Sequence, residues 1–260
     1  MNYIILNNSF GRKVKYKIKP KIMKLIISII TWIIVTACTI VLFFVMLLVL
    51  VLTFPFDQKR NFVNYQCFWW SHFLIRYNPF WKIELKGIEN IDKQKTYVII
   101  SNHQSFTDIA LLYQLRSQFK WVAKDSLFLV PFLGWSLSLG KHIPIRRGNI
   151  GSVRNVYRQA STWLGKDMSV LFFAEGSRSE SCAIMNFHNG AFKLAINNKV
   201  AILPISIKGS GEYLPKGSWI FNTTAKTRLE VFPSIETKGY ALRDYEVLKK
   251  KVRQVISVTT

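Results

Sequence analysis

The stretch TYVIISNHQSFTDIALLYQL, Thr96 to Leu115, joins an apolar run to a polar loop and then to a second apolar pattern. The run TYVII has the length and the content of aromatic and β-branched residues that are typical of a buried strand. The pattern TDIALLYQL is typical of a helix that follows such a strand. Strand, loop and helix in this order predict one unit of an α/β fold. The loop carries His103 and Asp108, five positions apart.

The same alternation continues along the rest of the chain. The runs KIELKGI, SVLFFA, VAILPISI and TRLEVFP are strand-like, whereas VRNVYRQASTWLG and RDYEVLKKKVRQVI have apolar residues at helical spacing. Gly165 is placed to end the first of these two helices. We therefore predict an α/β domain over residues 81–260, with a mixed sheet flanked by helices.

The part of the chain before this domain has a different character. Half of the 260 residues are hydrophobic and the formal net charge is +22, a combination that is rare in water-soluble enzymes and indicates a polyanionic partner. Leu25 to Phe54 contains no charged residue. This run exceeds the roughly 20 residues needed to cross a bilayer core and is too long for a signal peptide. We predict a retained membrane anchor and a second, aromatic-rich interfacial helix within residues 25–80.

Residues 1–24 are predicted to form a basic cytoplasmic tail beside an anionic leaflet, because the segment holds no acidic residue. Its charged residues are Arg12, Lys13, Lys15, Lys17, Lys19, Lys21 and Lys24. A single crossing would place the remaining chain outside, whereas a hairpin or an interfacial second helix would keep it in the cytoplasm. The Trp, Tyr and Phe residues after Phe54 favour the second arrangement, at a bacterial inner membrane. A nucleic-acid partner is not predicted, because no recognition motif accompanies the basic block.

His103 and Asp108 have the residue types of a base and the carboxylate that orients it. A carboxylate that accepts a hydrogen bond from one ring nitrogen fixes the histidine tautomer and leaves the other nitrogen free to take a proton. No Ser or Cys is clearly placed as an enzyme nucleophile, and Ser105 would equally suit a helix cap. The base is therefore predicted to activate a hydroxyl of the substrate. His142 lies within an apolar pattern and is predicted to be a core residue.

Basic residues follow several of the predicted strands. SVLFFA runs into Glu175, Gly176 and Arg178, which brings a carboxylate, a flexible turn and a guanidinium to the edge of the sheet. Arg in such a place suits bidentate binding of a phosphate. The other cations that follow strand-like runs are Lys124, Arg146 and Arg147. A basic pocket beside a His–Asp pair, in a chain with a membrane anchor, predicts an anionic lipid substrate.

Four blocks of the sequence, in order, resemble those of the 1-acylglycerol-3-phosphate O-acyltransferases, the glycerolipid acyltransferase family. NHQSFTD fits the N-H-x-x-x-x-D block, PIRR the short block that ends in Arg, FAEGSRS the F-P-E-G-T-R-S block, and ILPISI the V-P-V-x-I-like strand. Within them Ser177 replaces the usual Thr and Ala174 the usual Pro, and in a neighbouring segment His188 replaces a Lys. The resemblance covers roughly residues 81–209.

The resemblance implies a membrane-bound enzyme that moves an acyl group from acyl-CoA or acyl-carrier protein to a lysophospholipid, by default lysophosphatidic acid. Carried over by position, His103 is the general base and Asp108 its orienting partner. The residues implied for substrate binding are Lys124, Arg147, Glu175, Gly176 and Arg178, with Arg146 an alternative to Arg147. A lipid ester hydrolase and a non-catalytic lipid-binding protein remain open.

Neither a cofactor nor a metal is predicted for this chemistry. The three cysteines, Cys38, Cys67 and Cys182, have no metal-ligand spacing, and Cys38 falls within the predicted anchor. They also give no disulfide framework, which suits a reducing compartment.

Overall fold

The computed structural model describes residues 3–7, 13–17 and 20–258 of the chain. The strands within these ranges are β1 (Tyr3–Asn7), β2 (Lys13–Lys17), β3 (Lys82–Lys86), β4 (Tyr97–Ser101), β5 (Phe119–Lys124), β6 (Ile143–Ile145), β7 (Ser169–Phe173), β8 (Ala201–Lys208) and β9 (Lys226–Val231). The α-helices are α1 (Pro20–Thr53), α2 (Asn61–Arg76), α3 (Asp108–Tyr113), α4 (Leu133–Leu139), α5 (Ile150–Leu164), α6 (Gly190–Asn198), α7 (Ser210–Tyr213) and α8 (Tyr245–Ser257).

The segment predicted as a basic tail contains a β-hairpin, in which β1 pairs antiparallel with β2. Arg12 and Lys19 of that prediction lie outside the described residues. The first helix begins at Pro20, ahead of the predicted start of the anchor at Leu25. Proline suits the first turn of a helix, because the N–H that it lacks would have no partner there.

Seven strands form one sheet in the order β3-β9-β8-β4-β7-β5-β6. All neighbours are parallel except β8 and β9, which pair antiparallel, so the mixed sheet predicted from the sequence is confirmed. The central strand β4 is buried along its whole length between β8 and β7. A strand that is covered on both faces reads as a continuous apolar run, which explains the pattern TYVII.

The two faces of the sheet carry different helices. Ile99 of β4 packs in a core with residues of α1, α2, α3 and α4. Its neighbours Val98 and Ile100 point to the opposite face, where α5, α6 and α8 supply the core. The helices predicted around the sheet therefore form a layer on each side of it.

Helix α1 lies lengthwise against the first of these layers. Near its start Lys24 donates a hydrogen bond to Asn222, with Nζ and Oδ1 2.9 Å apart, and further on Trp32 donates to the carbonyl oxygen of Trp219 over 2.7 Å. The ring centroid of Phe43 lies 5.4 Å from that of Trp135. Since the rise is about 1.5 Å per residue, these contacts cover about 28 Å of the helix.

The side of α1 that faces away from the domain is apolar and exposed, as at Ile33 and Val51, which are 63% and 67% exposed. Among the described residues, α1 is the one helix that is long and apolar enough to cross a membrane, judged by length and composition. The predicted second helix is present as α2, in which His72 is exposed.

A buried polar cluster joins the α1–α2 connection to the sheet. Asp57 accepts hydrogen bonds from the N–H groups of Asn61 and Phe62 at the start of α2, at 2.7 and 3.0 Å. Lys120 of β5 is 0% exposed and donates to the carbonyl oxygens of Lys59 and Gly140, at 2.7 and 2.8 Å. Burial lowers the pKa of Lys120 to about 7, although the nearby Asp57 opposes that shift.

This pKa predicts a pH dependence of stability. Between a folded pKa of about 7 and the ordinary lysine value, the unfolded chain binds more protons at this site than the folded chain, so stability rises with pH. In Lys120→Met this contribution is absent. We subtract the melting temperature of Lys120→Met from that of the unsubstituted protein, both in detergent. We expect this difference to become more positive as the pH is raised from about 7 to 10. Lys208→Met, at an exposed lysine of β8, is the control and should show no such trend. A difference in melting temperature that is constant with pH would contradict the prediction.

Candidate active site

Two neighbouring parallel strands bring the predicted catalytic block and the Glu–Gly–Ser–Arg block to the same edge of the sheet. Ser101 at the end of β4 is in register with Phe173 at the end of β7. His103 and Glu175 therefore each lie two residues beyond the end of their strand. Loops at the carboxyl ends of parallel strands are held rigidly by the sheet, which is a usual place for an active site.

The structure brings His103 and Asp108 into direct contact. The Nδ1 atom of His103 lies 2.8 Å from Oδ2 of Asp108, whose side chain is completely buried. The same carboxylate oxygen accepts hydrogen bonds from the N–H groups of Gln104 and Ser105, at 2.8 and 3.0 Å. A carboxylate is an acceptor, so the proton on the imidazole lies on Nδ1 and Nε2 is left with a lone pair.

The ring of His103 is fixed from its other side by an aromatic residue. It stacks on Phe173, with the ring centroids 3.9 Å apart and the planes inclined by 17°. Its side chain is 17% exposed and lines the large cavity of the domain. No residue in the described part of the chain forms a hydrogen bond with Nε2. A histidine held in this way presents one basic nitrogen to the cavity.

Glu175 supports the backbone of His103 and lies outside the lining of the cavity. Its Oε1 accepts a hydrogen bond from the N–H of His103 over 2.8 Å, and Oε2 accepts one from Met185 over 2.9 Å. Burial raises the pKa of this carboxyl, and the hydrogen bonds from Met185 and His103 act in the opposite direction. The loop after Glu175 also contacts the backbone of His103: the N–H of Ser179 donates a hydrogen bond to the carbonyl oxygen of His103 over 2.8 Å.

Asn102 is a site-positioning residue for which the sequence motifs predicted no role. Its amide exchanges two hydrogen bonds of 2.8 Å with the backbone of Ile207 in β8, so it fixes the start of the catalytic loop to the neighbouring strand. Its place as a polar residue just beyond the end of a buried strand pattern was the available signal. Ser105 proves to be buried and donates to the carbonyl oxygen of Leu214 over 2.8 Å. The same hydroxyl accepts a hydrogen bond from the N–H of Thr107, directly before α3, over 3.3 Å. It therefore holds the loop and also contacts the start of the helix.

The cavity next to His103 measures about 1230 Å³. This volume exceeds the usual range of about 300–1,000 Å³ for a small-molecule site. Apolar side chains from α1, α2, α4 and the sheet form most of its lining, among them Ile30, Leu42, Phe73, Leu137 and Phe172. Such a cavity suits a long apolar chain.

Cations lie at the polar part of this lining. The three predicted from the sequence, Lys124, Arg147 and Arg178, all line the cavity. None of them forms an ion pair with any residue between 20 and 258. Arg146 does not line the cavity, and its Nε lies 2.8 Å from Oδ2 of Asp125. Of these two arginines, only Arg147 therefore lies in the wall of the cavity that holds His103.

Gly176 occupies a position where a side chain would be strained. Its φ is +68°, in the left-handed region that favours glycine, and a Cβ there would lie 2.7 Å from the ring of His188. The turn lets Arg178 and His188 share the cavity wall.

His142 is a core residue, as predicted. It is buried, its Nε2 lies 3.3 Å from the hydroxyl oxygen of Tyr113, and its Nδ1 accepts a hydrogen bond from the N–H of Trp121 over 3.3 Å. Burial lowers its pKa well below the ordinary histidine range, and the neighbouring Lys120 acts in the same direction.

The sequence and the fold of the chain are similar to those of known acyltransferases. A family model described as Acyltransferase matches residues 82–208. A 1-acyl-sn-glycerol-3-phosphate acyltransferase of Pseudomonas aeruginosa is 30% identical over 206 residues, which cover 79% of this chain and 79% of that protein. A chloroplastic 1-acyl-sn-glycerol-3-phosphate acyltransferase of Arabidopsis thaliana is 36% identical over 161 residues, which cover 62% of this chain.

The match spans 45% of the Arabidopsis protein and 53% of a relative with the same activity name from Chlamydomonas reinhardtii, so the chain corresponds to about half the length of these relatives. Among solved structures, the 1-acyl-sn-glycerophosphate acyltransferase of Thermotoga maritima has a TM-score of 0.76 with 25% sequence identity. That likeness covers 91% of this chain and 94% of the Thermotoga chain. The chain belongs to the 1-acyl-sn-glycerol-3-phosphate acyltransferase family.

Proposed function

We propose that the protein is a membrane-bound acyltransferase of phospholipid biosynthesis, which moves a fatty acyl group from a thioester to the free hydroxyl of a lysophospholipid. Lysophosphatidic acid is the proposed acceptor, phosphatidic acid the product, and acyl-CoA or acyl-carrier protein the donor. One observation carries the proposal: the His103–Asp108 pair presents a free Nε2 to an apolar cavity that also holds unpaired cations. The names of the relatives support the same reaction.

His103 acts as the general base. Its Nε2 takes the proton of the acceptor hydroxyl while that oxygen attacks the thioester carbonyl carbon. A C–O bond forms, the C–S bond breaks, and the leaving thiolate recovers the proton from the imidazolium. Asp108 stabilises the imidazolium through Nδ1 and holds the ring in place. Because the thioester is already activated and the base is a side chain, the reaction requires neither a cofactor nor a metal.

The phosphate of the acceptor is bound by the cations of the cavity. Arg178 is half-buried and offers a planar fork of donors, which suits two phosphate oxygens at once. Arg147 and Lys124 are exposed at the same cavity and add positive charge. Gly176 gives the turn that aims this block, and Glu175 positions His103 through the backbone.

The membrane supplies both lipid substrates. The inner face of α1 packs on the domain and lines the cavity, while its outer face is apolar and exposed. This lengthwise packing favours a helix that lies in one leaflet with α2, over a helix that crosses the bilayer and stands clear of the domain. Together with the basic N-terminal segment, it supports a domain held on the cytoplasmic side of a bacterial inner membrane, against an anionic leaflet.

Removal of the base tests the reaction. His103→Ala should lower the rate of acyl transfer from acyl-CoA to lysophosphatidic acid by about 10²- to 10⁴-fold, the usual contribution of a positioned base. Asp108→Asn should also lower it strongly, because a neutral amide does not stabilise the imidazolium as the carboxylate does. His72→Ala, at the exposed histidine of α2, is the control and should keep the full rate. Near-normal transfer by folded His103→Ala would rule out its role as the base.

Two adjacent arginines test the phosphate site. Arg147→Ala should raise the KM for lysophosphatidic acid by roughly tenfold or more, since a hydrogen bond to a charged group contributes about 1.5–3 kcal/mol. Arg146→Ala should leave the KM almost unchanged, because that side chain pairs with Asp125 and does not line the cavity. Steady-state kinetics on purified variants measure both values. Equal effects of the two substitutions would contradict the assignment of Arg147 to the phosphate.

A further inference from the structure

A second apolar surface lies outside the α1–α2 pair. Between residues 81 and 258, ten large hydrophobic side chains are exposed, and five of them fall within residues 129–153. We call these five the apolar rim: Leu129, Val130, Trp135, Ile150 and Val153. Leu129 is 81% exposed and Ile150 73%. Large apolar groups grouped on a protein surface mark a contact with a partner or a lipid phase.

One member of the apolar rim contacts α1, and two others border the cavity. The ring of Trp135 packs against Phe43 of α1, and Phe132 does so too, with ring centroids 5.7 Å apart. Val130 and Val153 line the cavity that holds His103. The cavity is therefore flanked by α1 and by a second apolar element in contact with it.

Basic residues lie close to the apolar rim in the sequence. Lys124, Arg147 and Arg154 are exposed in the segments that carry it, and each lies within six residues of a member of the rim. The acidic Asp125 in these segments is paired with Arg146. Apolar side chains next to unpaired cations match an anionic lipid surface, where the chains enter the acyl region and the cations stay at the headgroups.

We propose that the apolar rim inserts into an anionic leaflet as a membrane contact additional to α1 and α2. Acyl chains then pass between the bilayer and the cavity along Val130 and Val153 without entering water. The insertion rests on the proposed membrane location, and its consequence for substrate entry rests on the proposed acyltransferase function.

Photocrosslinking tests the insertion directly. The photoreactive amino acid p-benzoylphenylalanine replaces Leu129 in one full-length variant and Val247, an exposed residue of α8, in a matched control. Both are incorporated into vesicles of phosphatidylethanolamine and phosphatidylglycerol and irradiated. The label at position 129 should form lipid adducts, and the label at 247 should not. Equal lipid labelling at both positions, or an adduct of position 129 with a second copy of the chain in place of lipid, would overturn the proposal.

Activity measurements separate this proposal from the proposed function. Leu129→Asp should lower acyl transfer to lysophosphatidic acid in vesicles by about tenfold, because a leucine that enters the leaflet is replaced by a charge at the lipid boundary. With a short-chain, water-soluble lysophosphatidic acid its rate should equal that of the unsubstituted protein. Val247→Asp should leave both rates unchanged, and loss of the soluble reaction in Leu129→Asp would overturn the role of the rim.

No transfer by the unsubstituted protein with either acceptor would count against the proposed acyltransferase function. In that case the lipid adducts at position 129 decide the insertion on their own.

Discussion

The contact between Asp108 and His103 is the constraint on which the site depends. One buried carboxylate oxygen accepts from the imidazole and from two backbone N–H groups, so it fixes the loop between β4 and α3 as well as the ring. Other elements hold that loop from outside: Asn102 ties it to β8, and Glu175 ties it to β7. The parallel register of the central strands makes these contacts possible, because it ends neighbouring strands at the same edge. The reactive nitrogen is thus positioned before any substrate binds. The activation free energy of the reaction therefore includes less of the entropy loss that orienting this group would require.

The same sheet edge joins two kinds of binding surface. The apolar cavity runs from the catalytic loop towards α1 and α2, while Lys124, Arg147 and Arg178 stand at its polar part. A lysophospholipid and an acyl thioester each have one apolar and one charged portion, so a site that accepts both needs this division. Helix α1 has a corresponding double role, because one face completes the cavity wall and the other is free to contact lipid.

The sequence predicted the parts of the site that depend on local order. His103 and Asp108 are five positions apart in the segment that joins β4 to α3, and strand patterns place Glu175 and Arg178 at the same edge. Contacts between segments that are distant in the sequence could not be predicted from it. An example is the contact of Asn102 with Ile207, which are 105 positions apart. The direction of Glu175 towards a backbone amide, and the pairing of Arg146 with Asp125, also depend on tertiary packing. The short strand β6 and the lengthwise packing of α1 have no periodic signal in the sequence, since neighbours in space determine them.

The central claim is that the acyl group is transferred to a lipid hydroxyl. The most direct test is to follow release of free thiol from acyl-CoA by the purified protein, with and without lysophosphatidic acid, while phosphatidic acid is measured in the same sample. Transfer predicts thiol release that requires the acceptor and equals phosphatidic acid in amount. Thiol release that proceeds at the same rate without acceptor, and yields free fatty acid, would contradict the claim and identify a hydrolase.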